Sequence, residues 1–446
     1  MKLSSLILIF CFVQFSLLAE SIDLNRLWKE AGATNPDFLY AKAELDRAIF
    51  ENEKSYAGYL PTVNVVTSAR RSSSSFSGAG SVSDPALTSS NQGGNNTDQN
   101  SGSSSRPSEV NRYSVGLTTN QNLFAGFRDK STIERTEALV AVAKQTLKDT
   151  MVRISFELRT AYAQLLFSKQ SFILAKKIYE RRKKNRDLVG LRYEVGREHK
   201  GSFLLSESFV NQSDYEVKVA ERLFESNTNE IERILSSKLS LNLNIEFFEE
   251  TLPTKEIVSS KLEVYIAEHP ALMAEQAKVR AAQAGIGVAE SGFYPDLSLS
   301  ATVTRQDDVW LPKPRNYSFG LNLTYPLFNG GRDYYNVKIA RSEYEKAVHT
   351  RDSKKNSLLY SLQQSFFNYK NSIDQLEVLN GFYLAAETRA VIARSQYSNG
   401  LISFENWDII ENDLISREKN LLQGKRESYL NFAILQRNMG KIFGEE

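Results

Sequence analysis

The chain has 446 residues, with 55 lysines and arginines against 53 aspartates and glutamates, and a single cysteine. A formal net charge of +2 provides no strong field that would attract nucleic acid or an acidic partner. The cysteine, Cys11, lies close to the start, so the rest of the chain cannot use disulfides or thiolate chemistry.

The first residues have the layout of a secretory signal peptide. A positively charged start is followed by an apolar stretch from Leu6 to Leu18 and then by Ala19. We expect residues 1–19 to be a signal peptide. Lipidation of Cys11 is the less favoured alternative, because bulky Phe10 precedes it. No later apolar run approaches the roughly 20 residues of a membrane helix, so a membrane crossing would have to use β-strands.

The rest of the sequence contains the same series of motifs twice, at constant spacing. Asn35-Pro36 and the Gly58-Tyr59-Leu60-Pro61 element recur 234 positions later as His269-Pro270 and Gly292-Phe293-Tyr294-Pro295. Three more motifs recur at an offset of 204: Tyr113-Ser114-Val115-Gly116-Leu117 as Tyr317-Ser318-Phe319-Gly320-Leu321, Leu123-Phe124-Ala125-Gly126 as Leu327-Phe328-Asn329-Gly330, and Tyr193 to Gly196 as Tyr397 to Gly400. The pattern predicts two duplicated units, residues 20–240 and 262–446, joined by a linker at 241–261.

Each unit begins with a predicted helix, from about 22 to 56 and from about 262 to 290. Both helices end before the Gly-aromatic-Pro elements, as helices do before proline. The apolar period then changes from 3.6 to 2, most clearly where Leu297, Leu299, Ala301 and Val303 alternate with serine and threonine. Strands are predicted at about 61–70, 112–124, 295–305 and 316–327, and the serine-, glycine- and asparagine-rich insertion at 71–110 is predicted to be a mobile loop.

The alternation alone allows two interpretations. An antiparallel sheet of a soluble domain has one face on a core, and a membrane β-barrel has strands that are apolar outside and polar inside. The signal in each strand is too weak to choose between them.

Two stretches of 67 residues without proline, 129–195 and 333–399, each predict one helix of about 100 Å. Apolar residues in the first follow a heptad spacing, at Leu147, Met151, Ile154, Leu158, Ala161 and Leu165. Return helices are predicted from about 203 to 235 and from about 404 to 443. Helices this long must pack against copies of themselves or line a tube. The predicted fold is therefore mainly α with a β part, in two units of helix, strand, strand, long helix and return helix.

No motif for catalysis, metal binding or cofactor binding stands out. The three histidines, His199, His269 and His349, lack partners at zinc-ligand spacing, and neither a phosphate-cradling glycine loop nor a nucleophile elbow is present. The basic run from Arg181 to Arg186 is more typical of a solvated or subunit-facing helix than of a nucleic-acid site. We predict that the chain is not an enzyme, holds no metal or cofactor, and binds no nucleic acid.

At the ends of the strands the sequence resembles a known family. Tyr325-Pro326-Leu327-Phe328-Asn329-Gly330-Gly331-Arg332 looks like the strand-to-helix junction of the TolC family of outer-membrane efflux proteins, and Gln121 to Arg128 resembles the same junction in the first unit. The two Gly-aromatic-Pro elements resemble the helix-to-strand junctions, and the two Tyr-x-x-Gly elements resemble the turns at the far tip. The junction and turn residues identified in this way are Pro61, Gly126, Gly196, Pro295, Gly330, Gly331 and Gly400.

This resemblance implies a homotrimer in the outer membrane. Each chain would contribute four strands to a twelve-stranded barrel, with the helices forming a tunnel in the periplasm. An inner-membrane transporter and a periplasmic adaptor would dock at the tip and deliver small molecules or proteins to a passive exit duct. The alternative is a secreted coiled-coil scaffold or adhesin that transports nothing. The sequence does not identify the cargo.

The resemblance also implies a constriction at the second tip, formed by acidic residues. Asn406 and Ile409 occupy the positions where family members often carry acids, and Glu405, Asp408 and Glu411 lie nearby. We expect Asp408 and Glu405 to line the constriction. At the first tip, we expect residues 197–200 to form a turn with three extra residues that contacts an adaptor.

Overall fold

The structure is a computed structural model that describes residues 24–74, 108–238, 262–308, 310 and 315–444. The predicted signal peptide, most of the predicted loop at 71–110 and the predicted linker lie outside these residues. The chain divides into two compact units. Of the described residues, those within Met1–Phe50, Glu137–Ala282 and Glu343–Glu446 form a helical unit, and those within Glu51–Thr136 and Gln283–Ser342 form a strand unit. No helix among the described residues is both long and apolar enough to span a membrane.

Eight α-helices are described: α1 (Leu24–Thr34), α2 (Pro36–Ser55), α3 (Arg128–Glu194), α4 (Lys200–Leu235), α5 (Leu262–Glu268), α6 (Pro270–Glu290), α7 (Arg332–Ser398) and α8 (Phe404–Asn438). The first predicted helix of each repeat is in fact two helices. At the first break the Asn35 Oδ1 accepts the backbone N–H groups of Asp37 and Phe38 at 3.0 and 3.1 Å. At the second, the Nδ1 of His269 accepts the N–H of Ala271 at 3.1 Å. These side chains cap α2 and α6.

The helical unit has its core along the long helices. Ile154, Leu158 and Leu165 of the predicted heptad seam are almost fully buried in one cluster with α1 and the end of α4. In the second repeat the seam is more polar, and the Ser428 hydroxyl of α8 donates to the carbonyl of Ser372 in α7 at 3.1 Å. Burial of these faces explains why helices with so little apolar surface are stable.

The strand unit is one antiparallel sheet in the order β1-β2-β3-β4. Its strands are β1 (Thr62–Ser74), β2 (Ser108–Ala125), β3 (Asp296–Asp307) and β4 (Arg315–Thr324). The predicted fold class, mainly α with four strands in two duplicated units, is confirmed. The first two strands extend into the predicted loop, since Ser74 pairs with Ser108. Backbone pairing continues in this part although apolar and polar residues do not alternate there. That alternation is the only sign of a strand that the sequence offers.

Candidate functional site

One face of the sheet is apolar and uncovered. On β4, four alternating residues are between 64% and 73% exposed: Tyr317, Phe319, Leu321 and Leu323. Their cross-strand neighbours on β3 are Val303, Ala301, Leu299 and Leu297. In a soluble domain a face of this kind would cover a core, yet nothing among the described residues of the strand unit covers it.

The opposite face carries small polar groups that bond across the strands. The hydroxyls of Ser68 and Ser114 lie 2.7 Å apart, and the Asn322 Nδ2 lies 3.4 Å from the Ser300 Oγ. Gly116 lies directly against the Thr304 side chain. This face therefore suits contact with water.

Aromatic side chains stand at both ends of the apolar face. Near the helices, Phe127 makes edge-to-face contacts with Phe124 and Tyr294, with ring centroids 5.1 and 5.6 Å apart. At the far end, Tyr113 and Trp310 are in edge-to-face contact at 5.5 Å. A shift of register between Asn122 and Phe124 is what brings Phe124 opposite Leu297.

The two aromatic ends are separated by ten residue steps of β3, from Leu297 opposite Phe124 to Asp307 opposite Tyr113. This separation is about 34 Å along the strand. At a strand tilt of about 40° it would become about 26 Å of depth, close to the roughly 25 Å apolar band of a transmembrane barrel.

The junctions between strands and helices repeat in detail. The Asn122 amide donates to Asp129 at 2.7 Å, and the Asn329 amide donates to Asp333 at 2.7 Å. Gly126 has φ +59°, and a Cβ there would lie 2.6 Å from the Ser291 carbonyl oxygen, so a larger residue is excluded both by conformation and by space. Gly330 and Gly331 also have positive φ, and Pro61 and Pro295 stand directly before β1 and β3.

At the tip, Gly196 and Gly400 have φ of +74° and +77° and end the two long helices. The return helices begin at equivalent positions, because His199 caps α4 and Ser403, 204 residues later, caps α8. The prediction of three extra residues in the first turn is therefore wrong. Histidine is an uncommon N-cap residue, and Gly201 in the first turn of α4 has a low helix propensity. The sequence therefore did not show where α4 begins.

The structure separates the two predicted constriction residues. The Asp408 carboxylate accepts hydrogen bonds from Arg182 of α3 at 3.0 Å and from Asn412 at 2.9 Å, and only 15% of its side chain is exposed. Glu405 is 63% exposed and lies 3.6 Å from the Nε2 of His199. Hydrogen bonds from its own backbone amide and from the Ser403 hydroxyl lower the pKa of Glu405, so it is charged at neutral pH.

A buried cluster of charges lies beside Asp408, between α3 and α8. Arg181 pairs with Glu418 at 2.8 Å and with Glu411 at 3.3 Å, and the second contact is ionic without the alignment of a hydrogen bond. Glu411 is 1% exposed and also pairs with Arg394 of α7 at 2.9 Å, while Lys177 reaches Glu418 at 3.3 Å. Burial alone would lower the pKa of Arg181, but the bonds and charge of Glu418 raise it above its ordinary value.

This cluster corrects the interpretation of the basic run for its first two residues, whereas Lys183 and Lys184 are exposed to solvent as expected. Arg181 and Arg182 face α8 of their own chain and have side chains only 11% and 8% exposed, so they are neither solvated nor facing another subunit. From the sequence alone, Glu418 was not identified as a member of any site. Its partners are more than 230 positions away in sequence, so no local pattern reveals it.

The described residues hold no group of three or more histidines, cysteines or acids that could bind a metal. His199 and His269 use their Nδ1 atoms as helix caps.

Three known proteins resemble the chain over different lengths. The probable outer membrane lipoprotein SilC of Salmonella typhimurium is 22% identical over 161 residues, and this alignment spans only 35% of either chain. Toxin and drug export protein A of Aggregatibacter actinomycetemcomitans is 21% identical over 420 residues, covering 92% of this chain and 84% of that protein. The crystal structure of CusC superposes with a TM-score of 0.80 at 15% identity, covering 93% of this chain and 91% of CusC.

The likeness to CusC shows a shared fold across both repeats. The sequence model described as "Outer membrane efflux protein" matches residues 27–234 and 262–441, which include every described helix and strand apart from the first three residues of α1 and the last residue of α4. The predicted resemblance to the TolC family is thereby confirmed, and the chain belongs to the outer membrane efflux protein family.

Proposed function

We propose that the chain is one subunit of a homotrimeric exit duct in the outer membrane. The duct would be passive and would carry small molecules or proteins from an inner-membrane transporter and a periplasmic adaptor to the outside. The single observation that supports this most strongly is the sheet, whose uncovered apolar face is bounded by aromatic side chains at both ends.

The edges of the sheet support a closed assembly of several copies. Within the described residues, β1 and β4 each pair with a strand on one side only. Unpaired backbone groups cannot face lipid, so these edges must meet the strands of other copies. Three copies would give the twelve-stranded barrel that the family resemblance implies.

The duplication indicates how the helices of neighbouring copies would meet. Within one chain α8 covers α3, and the Arg437 guanidinium lies 4.8 Å from the centre of the Phe156 ring. The equivalent of Phe156 in α7 is Tyr360, which is 66% exposed. In a ring of copies, α4 of the next chain would cover α7 in the same way, with Arg233 taking the place of Arg437. A groove of about 550 Å³ along α7, lined by residues such as Leu384 and Ile392, is open to receive it.

At the tip, we propose that Glu405 rather than Asp408 is the acid that reaches the constriction. Glu405 is exposed and charged, whereas Asp408 would first have to release Arg182. Three copies of Glu405 near a narrow axis would hold a negative field that favours cations. The adaptor would bind around the same tip, where Gly196 and Gly400 set the two turns.

The first test is assembly and location. The mature chain should fractionate with outer membranes, and the detergent-extracted protein should have the mass of a trimer by light scattering. A water-soluble monomer would contradict the proposal, and a soluble oligomer would favour the alternative of a secreted scaffold or adhesin.

The second test uses neighbouring residues on opposite faces of β4. Leu321→Arg should block insertion or assembly, at a cost of about 2 to 4 kcal/mol near the midplane of the bilayer. Asn322→Arg carries the same new charge on the polar face, so it should leave assembly intact and change conductance in planar bilayers. If both variants assembled equally well, the apolar face would not contact lipid.

A further inference from the structure

Two arginines stand directly opposite each other at the far end of the apolar face. Arg305 of β3 pairs in register with Arg315 of β4, and the alternation places both on the face that carries Val303 and Tyr317. Both side chains are exposed, and the neighbour of Arg305 on β2 is the apolar Val115. No ion pair between described residues involves either arginine.

This placement is unfavourable unless an anion is present. Side chains directly opposite on adjacent strands have Cβ atoms about 4.5 to 5.5 Å apart, and like charges there destabilise the sheet. Arginine stays protonated, so the pair cannot relieve the repulsion by losing a proton. Asp307, two residues beyond Arg305 on the same face, stands opposite Tyr113 and already interacts with another group.

We propose that Arg305 and Arg315 together bind a phosphate group of an anionic lipid. Two guanidinium groups side by side can grip a phosphate through paired hydrogen bonds, which converts their repulsion into attraction for the ligand. The apolar residues that continue below them, from Tyr317 to Leu323, would lie along the acyl chains of the same lipid.

The position on the sheet favours a lipid over free phosphate. The arginines lie at the strand ends that are remote from the helices, close to Trp310 and Tyr113, and aromatic side chains of this kind mark the level of lipid headgroups. An arginine on the lipid face is strongly destabilising at the bilayer midplane and is tolerated close to the bilayer surface, so the two arginines must lie at the level of the headgroups. The inference rests on the proposed function, which turns this end of the barrel towards the outer leaflet.

The chain provides a matched control on the other face. Arg70 of β1 pairs in register with Arg112 of β2, which comes three residues before Val115, and both lie on the polar face. This pair has the same charge and the same cross-strand geometry. It should not contact lipid, because the polar face is turned away from the bilayer.

The experiment measures lipid binding to the purified full-length trimer by native mass spectrometry, with diphosphoryl lipid A as the probe. We expect Arg305→Gln with Arg315→Gln to weaken binding at least tenfold, and Arg70→Gln with Arg112→Gln to leave it unchanged. Lysine at both 305 and 315 keeps the charge but loses the planar fork, so it should weaken binding by an intermediate factor. If the glutamine variant does not assemble, the lysine variant still tests the lipid site.

Other outcomes would overturn the inference. Wild-type affinity in the Arg305 and Arg315 variants, or an equal loss in the Arg70 and Arg112 control, would show that the pair is not a lipid site. Displacement of lipid A by millimolar inorganic phosphate would show an anion site without lipid selectivity. If an intact trimer gave either of these results, the lipid site would be overturned and the proposed duct would stand. A wild-type chain that forms no trimer would overturn both the lipid site and the duct.

Discussion

Replacing Arg181 by methionine should loosen the contact between α3 and α8 without any change at the strands. Arg181 is the common partner of Glu411 and Glu418, two acids that are 1% and 5% exposed. After the substitution Glu411 keeps only Arg394 and Glu418 keeps only Lys177. Both remaining partners reach in from the surface, where they are 46% and 59% exposed.

The expected cost follows from this remaining pairing. Removing one partner from a buried ion pair costs about 3 to 5 kcal/mol, because it leaves an uncompensated charge in the interior. Since each acid keeps one partner, we expect the lower end of that range, about 3 kcal/mol. A change of this size is somewhat more than a hundredfold in the equilibrium for local opening.

Hydrogen exchange of the purified protein measures that opening directly. Amides near residues 175–185 and 405–420 should exchange about a hundredfold faster in Arg181→Met, and those in the sheet should not change. Glu216→Gln is the control, since it removes the partly exposed ion pair between Glu216 of α4 and Lys419 of α8 and should cost under about 1 kcal/mol. Methionine at 181, 411 and 418 together should restore slow exchange. Equal effects of Arg181→Met and the control would refute the reasoning.

Three further predictions concern other parts of the chain. Burial lowers the pKa of His269, so as pH falls below about 6.5 the unfolded chain binds the proton first and stability is lost. His269→Asn, which copies the cap at Asn35, should reduce the loss of thermal stability between pH 7.5 and 5, and an unchanged pH dependence would contradict it. Alanine at Glu405 should weaken block by trivalent cations in planar bilayers, and alanine at both 405 and 408 should add little; unchanged block would place the constriction elsewhere. Deleting about 30 residues from 71–110 should leave trimer and transport intact, because the second repeat lacks this segment; loss of the trimer on gels would contradict this.

The secondary structure was largely predictable because the sequence is duplicated and each motif occurs twice. Recurrent glycines and prolines mark the same junctions in both repeats, so weak local signals support each other. The breaks at Asn35 and His269 were not predicted, since a proline in the first turn of a helix is compatible with a longer helical pattern. The register shift beside Leu123 was also missed, because a bulge changes which face a residue occupies without changing composition.

The charged cluster of the helical unit could not be predicted for a different reason. On a single helix, Arg181 and Arg182 look like a solvated surface, and so do Asp408 and Glu418 on theirs. Whether such residues are buried depends on which helices pack together, which is decided by the apolar seams and not by the charges. The burial of Asp408 was unpredictable for the same reason. Its negative charge suggested that it lines the constriction, whereas in the structure its carboxylate pairs with Arg182.

The cluster belongs to one interface and not to its counterpart in the other repeat. Arg181 and Arg182 correspond to Ala385 and Ala386 in α7, so the basic half of the network has no equivalent there. Asp214, which corresponds to Glu418, is paired instead with Lys218 of its own helix at 2.6 Å. In the proposed trimer, the interface within each chain would therefore carry this charged cluster, and the α7 face between chains would have alanines in place of its two arginines. A single chain then already pairs every member of its buried cluster, so it can fold before assembly without leaving an isolated charge in its interior.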